Sequence, residues 1–220
     1  MARSRLLLVV HGRAGGLIPP ELITLAADLG ERREAPVRLQ ALTAAAPPVF
    51  PPAGSGALLI LVPLFLLPGA HVRHDVPAIA ARWRRWGPVQ RLPFLGAWPL
   101  WQRALAEEVA EVVADAVAAD SKPSGTAIGA RPRLLHHPLE GPLAARFLAH
   151  LQAITQAECH ATPYSSTNPE EPSLAISGPV LPLALAANRL TDGLGERLGA
   201  PLLSRARCRR VVLQQLEALP

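Results

Sequence analysis

The first apolar run, Leu6 to Val10, follows Arg3 and Arg5 and is closed by His11-Gly12-Arg13. An unbroken run of this kind suits a strand buried on both faces, as in the middle of a parallel sheet, better than an alternating strand with one wet face. The spacing then turns helical. Pro20 opens a stretch that ends near Arg33, with proline at the first turn, where its missing N–H costs nothing. Val37 to Leu42 reads as a second, weaker strand, and Pro47 to Gly56 as a loop. Ala57 to Val62 is a strong third strand, stopped by Pro63. A helix is expected from Asp75, as N-cap, to about Trp86 before Gly87-Pro88, and a longer one over Trp101 to Ala119. Asp120 to Gly125 has the composition of a linker, which predicts domains over 1–120 and 121–220.

Beyond that linker the pattern repeats faintly. Val9-Val10-His11-Gly12-Arg13 aligns with Ala127-Ile128-Gly129-Ala130-Arg131 at an offset of 118 (129 − 11). Val62-Pro63-Leu64 aligns with Leu181-Pro182-Leu183 at 119 (182 − 63), and Gln40-Ala41 with Gln156-Ala157 at 116 (156 − 40). Three anchors near one period predict a duplicated α/β architecture of two tandem domains, each a small parallel sheet flanked by helices. At these offsets His11 meets Gly129 and His71 meets Leu190, so the second copy is expected to keep the scaffold and lack both histidines.

Composition narrows the classes. Half the residues are hydrophobic, mostly Ala, Leu and Val, which supplies a core of helices on sheet. The longest apolar stretch, Ala57 to Ala70, has 14 residues and two prolines, against roughly 20 for a membrane-spanning helix. The short run before His11 lacks a small-residue cleavage site and reads as a strand, not a signal peptide. Cys159 and Cys208 lie 49 residues apart with no CxxC spacing, so a reducing cytoplasm is expected. The net charge of +5, with 21 of 22 basic residues Arg, favours anionic partners. Few aromatics and 17 acidic residues give no stacking platform for bases, so nucleic acid is not expected.

Ligands of open α/β sheets bind beyond the carboxyl ends of the strands. His11 follows the first strand directly and His71 lies nine residues past Val62, so two imidazoles are expected in one cleft. Two neutral imidazoles suit borderline metals such as cobalt(II), nickel(II) and iron(II), and leave positions open for exchange. Gly12, Gly15, Gly16 and Gly69 let backbone approach a bulky ligand. His74 reads as a third ligand or a surface residue, while His136, His137, His150 and His160 read as structural.

The stretches Leu6-Leu-Leu-Val-Val-His-Gly-Arg13 and Val62-Pro-Leu-Phe-Leu-Leu-Pro-Gly-Ala-His-Val-Arg-His-Asp-Val-Pro77 resemble the class II chelatases that load cobalt or iron into sirohydrochlorin for cobalamin or sirohaem synthesis. The second stretch is the more specific, and the repeated layout is similar to the family's two-domain long form. The resemblance implies that His11 and His71 bind the incoming metal and assist deprotonation of the ring, with Arg13, Gly69, Ala70 and Arg73 touching substrate. It implies an ATP-independent chelatase with no organic cofactor, taking Co2+ or Fe2+, with Ni2+ a further candidate, and an anionic tetrapyrrole. A cytoplasmic monomer or homodimer, without nucleic-acid or membrane partners, completes the expectation. The alternative is a non-catalytic tetrapyrrole or metal carrier.

Three departures from the family pattern stand out. Ala14-Gly15-Gly16-Leu17 is apolar where relatives are polar, and Thr43 stands where a Glu often adds a carboxylate. Arg82, Arg84, Arg85 and Arg91 are interleaved with Trp83, Trp86, Trp98 and Trp101. That segment reads either as a stacking surface with anion partners or as core tryptophans beside solvated arginines.

Overall fold

A computed structural model describes residues 3–50, 57–119, 131–162, 178–194 and 199–220. The chain divides into two compact units, Met1–Trp98 with Arg209–Pro220, and Pro99–Cys208. The linker expected at Asp120 to Gly125 lies outside the described residues, and the division between units falls at Trp98 and again at Cys208.

The first unit holds a four-stranded parallel sheet of β1 (Arg5–Val10), β2 (Val37–Ala41), β3 (Leu59–Pro63) and β4 (Val89–Arg91), in the order β2-β1-β3-β4. β1 is central, paired with β2 from Leu6↔Val37 to Val10↔Ala41 and with β3 from Arg5↔Leu59 to Val9↔Pro63. This explains its run of apolar residues, since alternate side chains face opposite sides and both sides are covered. On one face Leu7, Val9, Leu59 and Leu61 pack with Val76, Ile79, Ala80 and Trp83 of α2 (Val76–Trp83). Leu6, Leu8, Ile60 and Val62, pointing the other way, are equally buried. Each such side chain contributes about 1.5–3 kcal/mol on leaving water.

Helix α1 (Pro20–Arg33) buries Leu22, Leu25, Leu29 and Arg33, a stripe at helical spacing, and ends on Glu34 in the left-handed conformation before Pro36. Arg33 is 0% exposed. Its guanidinium donates to the carbonyl oxygens of Leu216, Leu219 and Pro220 at 2.9, 2.7 and 3.0 Å and to Ser4 O at 3.1 Å. The end of α6 (Ala206–Glu217) therefore finds on Arg33 the partners that its last carbonyls lack within the helix.

The second unit holds α3 (Pro99–Ala119), α4 (Pro142–Thr155), α5 (Arg189–Leu194) and a parallel sheet of β5 (Arg133–His136), β6 (Glu158–Ala161) and β7 (Val180–Pro182), ordered β6-β5-β7. The plan is that of β2-β1-β3, and α4, like α1, is 14 residues long, begins with proline and ends at a left-handed residue, Gln156. Ladder bonds give the register. Leu42 N donates to Val10 O and Thr162 N to His136 O; Leu64 N donates to Val9 O and Leu183 N to Leu135 O. His136 thus stands where Val10 stands, an offset of 126 (136 − 10), and His137 takes the place of His11.

Two of the three sequence anchors are corrected by this register. The first strand of the second unit is Arg133–His136, downstream of the expected match at residues 127–131, most of which lie outside the described residues. Gln156 is a helix-ending residue, and the position equivalent to Ala41 is Ala161, which partners His136 as Ala41 partners Val10. The Pro63 and Pro182 anchor holds. Arg73 N donates to Gly69 O as Asp192 N does to Asn188 O, so Leu190, 1% exposed, takes the place of His71.

Candidate active site

The chain leaves the sheet at His11 between two neighbours, with Val10 O bonded by Leu42 N and Val9 O by Leu64 N. Gly12 follows with a φ of 76°, and a Cβ there would fall 2.6 Å from both Ala41 Cβ and Thr43 Oγ1. Only glycine combines that twist with that approach. Arg13 N donates to Leu17 O at 2.7 Å, and the Thr43 hydroxyl donates to Arg13 O at 2.7 Å with His11 O at 3.4 Å. Thr43, standing where a carboxylate was looked for, is engaged with this backbone. The His11 ring donates from Nδ1 to Gly12 O at 2.7 Å.

His71 opens a π-helical turn, His71–Asp75, in which Val76 N bonds to His71 O five residues back. Such wide turns recur at functional positions, and residues i and i+4 of a helical turn share one face. Here they are His71 and Asp75, with Nδ1 and Oδ2 2.6 Å apart. Asp75 makes no capping bond, and the helical conformation begins before it. The expectation of an Asp75 N-cap is thereby corrected: its carboxylate serves the imidazole one turn back. The preceding loop is clamped by Gly96, whose N–H donates to Phe65 O at 2.9 Å and whose missing Cβ would lie 1.9 Å from Leu66 O. Phe65 in turn lies 6.3 Å from His71 between ring centroids.

The two imidazoles meet: their centroids are 4.9 Å apart with planes at 70°. In neutral histidine one ring nitrogen carries the proton and the other a lone pair. Since each Nδ1 faces an oxygen acceptor, each ring keeps Nε2 as a donor to an electrophile. Among the described residues no group of three or more His, Cys, Asp or Glu side chains is arranged to hold an ion. Two nitrogens alone leave most of a metal's coordination positions to other ligands, which suits transfer rather than storage.

The remaining sequence candidates scatter. Arg13, Ala70, Arg73 and His74 are exposed near this pair in sequence, and Gly69 is half-buried. The tryptophans share no single face: Trp83 is buried and donates to Gln40 Oε1, Trp98 donates to Pro93 O, and Trp101 is buried, leaving Trp86 63% exposed. In the second unit His150 Nε2 meets Gln102 Oε1 and His160 Nε2 meets Glu158 Oε2. His136 is buried and donates to His137 O, and burial lowers its pKa. Burial pushes the thiols of Cys159 and Cys208 up to about 11 and about 12, so neither is a ready nucleophile.

The first unit is thus a parallel-sheet α/β unit with paired imidazoles beyond its strand ends. Residues 5–112 match the CbiX family model. The fold is similar to that of SirB from Bacillus subtilis with Fe3+, at a TM-score of 0.61 and 17% identity, covering 98% of this chain and 96% of that one. It is also similar to DR2241 from Deinococcus radiodurans, described as a multi-domain protein with structural similarity to chelatases and two additional novel domains. There the TM-score is 0.53 and the identity 17%, with 99% of this chain covered and 55% of that one. No curated protein matches the chain. No helix of the described residues is long and apolar enough to cross a membrane.

Proposed function

We propose that this protein inserts a divalent first-row metal, cobalt or iron with nickel a further candidate, into sirohydrochlorin or a closely related tetrapyrrole. The reaction would serve cobalamin or sirohaem synthesis in the cytoplasm, without ATP or an organic cofactor, by a monomer or homodimer. One observation carries the reading: His11 and His71 lie 4.9 Å apart with each Nδ1 facing an oxygen, so both Nε2 lone pairs are left for an ion. The metal is substrate here. His11 and His71 capture it, and the ring's carboxylates settle on arginine, with Arg13, Gly69, Ala70 and Arg73 the nearest candidates around the pair. As ring nitrogens displace the imidazoles, each vacated Nε2 regains a lone pair and can accept one of the two pyrrole N–H protons that must leave. The proton count closes without an external base.

Among the described residues of the second unit, read as a degenerate repeat, His137 stands at the position of His11 but Leu190 stands at that of His71, so the pair is not repeated. His11→Ala and His71→Ala should each abolish insertion of cobalt(II) or iron(II) into sirohydrochlorin, followed by the absorption change, while circular dichroism stays that of the parent. Unchanged rates in either variant end this reading. A carrier that binds ring or metal stoichiometrically is the second reading, favoured by the engagement of Thr43 with backbone where a carboxylate base would sit. Multiple turnovers per chain exclude it.

A further inference from the structure

A hollow of about 280 Å³ lies beside the helix that carries His71. Pro63, the last residue of β3, forms one wall, and Val72 and Val76 another; Leu92, Pro93 and Phe94, which follow β4, bound the rest. Every one of these side chains is apolar. Into this surface projects a single charge, Arg91, the last residue of β4.

Three observations give the hollow a ligand class. First, Arg91 is exposed and pairs with no carboxylate among the described residues, whereas Arg32, Arg205, Arg207 and Arg209 are each ion-paired. Second, the four parallel strands place Pro63 and Arg91 on the sheet edge from which His11 emerges. Third, Val72 and Val76 directly follow His71 and Asp75, so one helical segment bears one imidazole of the pair, His71, and a wall of the hollow. Apolar walls with one guanidinium match a carboxylate on a short methylene stem: the stem leaves water and the anion takes a forked hydrogen bond.

We propose that this hollow seats one carboxylate side arm of the macrocycle, with Arg91 as its anchor, while the centre of the ring lies toward His11 and His71. This rests on the chelatase reading above. It singles out Arg91 from the four arginines of the Trp- and Arg-rich segment and gives it a substrate-binding role: it touches substrate at the rim and takes no part in metal or proton transfer.

The test measures three quantities on the full chain: equilibrium binding of metal-free sirohydrochlorin by fluorescence, steady-state cobalt(II) insertion, and cobalt(II) affinity alone. Arg91→Ala should raise the ring's Kd and KM about tenfold, the loss of roughly one charge-assisted hydrogen bond, with kcat and cobalt affinity held. Arg91→Lys, which keeps charge without the fork, should fall between. Methyl-esterified ring should bind parent and Arg91→Ala alike. Equal Kd and KM for parent and Arg91→Ala toward the free acid overturn the subsite while leaving the chelatase reading intact. A parent chain that neither binds nor metallates the ring overturns both.

Discussion

The two imidazoles are not held alike. His11 faces the neutral carbonyl of Gly12, while His71 faces the Asp75 carboxylate at 2.6 Å. A carboxylate behind a ring fixes its tautomer and orientation, so on the proposed reading His71 is the stronger of the two metal donors. Asp75→Ala should weaken cobalt(II) binding about 10- to 100-fold, and Asp75→Asn, which keeps an acceptor oxygen but not the charge, by less. Calorimetric titration decides the matter, and equal affinities in all three proteins would remove Asp75 from the site. That the rings of His11 and His71 come together was legible in the sequence, because each histidine follows an apolar strand that ends on one sheet edge. Asp75 was read as a cap because Pro77 comes so soon after it; the usable signal was its i,i+4 spacing from His71. The place of Thr43 was legible and its work was not, since a hydroxyl bonded to the Arg13 carbonyl leaves no pattern along the chain.

Among the elements, those buried on both faces were the readable ones. β1 was expected at Arg5–Val10 and α1 at Pro20–Arg33, and both are found there, because an unbroken apolar run and a proline at a helix start each have one cheap structural solution. β4 has only three residues, half-buried or exposed at the sheet edge, and carries no apolar run by which to be seen. The π-helical turn was equally invisible, since hydrophobic spacing does not distinguish it from an α-helix over five residues. What positions these elements is close backbone contact, and glycines test it in opposite directions. At Gly96 a methyl group would meet the Leu66 carbonyl oxygen at 1.9 Å, so the Phe65–Leu66 loop, which packs Phe65 near His71, must shift. Gly96→Ala should cost about 2 kcal/mol or more, seen as a melting temperature lowered by several degrees, and should slow insertion as well. Gly30, inside α1, has nothing nearer than the Ala35 carbonyl oxygen at 3.9 Å. There alanine should stabilise by about 0.5–1 kcal/mol through helix propensity. An unaltered melting temperature in Gly96→Ala would refute the clamp.

For the molecule as a whole, duplication was legible, and its register only at the Pro63 and Pro182 anchor. In a chain this rich in alanine and leucine, chance pairs such as Gln40-Ala41 and Gln156-Ala157 imitate homology, and only the ladder bonds separate them. The corrected register has an energetic consequence. The position that is Val10 in the first sheet is His136 in the second, so the same buried site is apolar in one unit and titratable in the other. His136 is 3% exposed, and burial, aided by nearby His160 and opposed by the bond to His137 O, holds its pKa below the ordinary value. The unfolded chain then binds a proton near pH 6.5 that the folded chain refuses until the pH is lower. Stability from this group is therefore fully present above about pH 6.5 and declines below it, with a slope of at most about 1.4 kcal/mol per pH unit. His136→Gln retains a donor for the His137 carbonyl and cannot titrate. Urea unfolding at about pH 7.5 and about pH 5.5 should show a smaller acid loss in His136→Gln than in the parent, since the proton uptake driving it has gone. If both proteins lose the same free energy on acidification, the titrating group lies elsewhere.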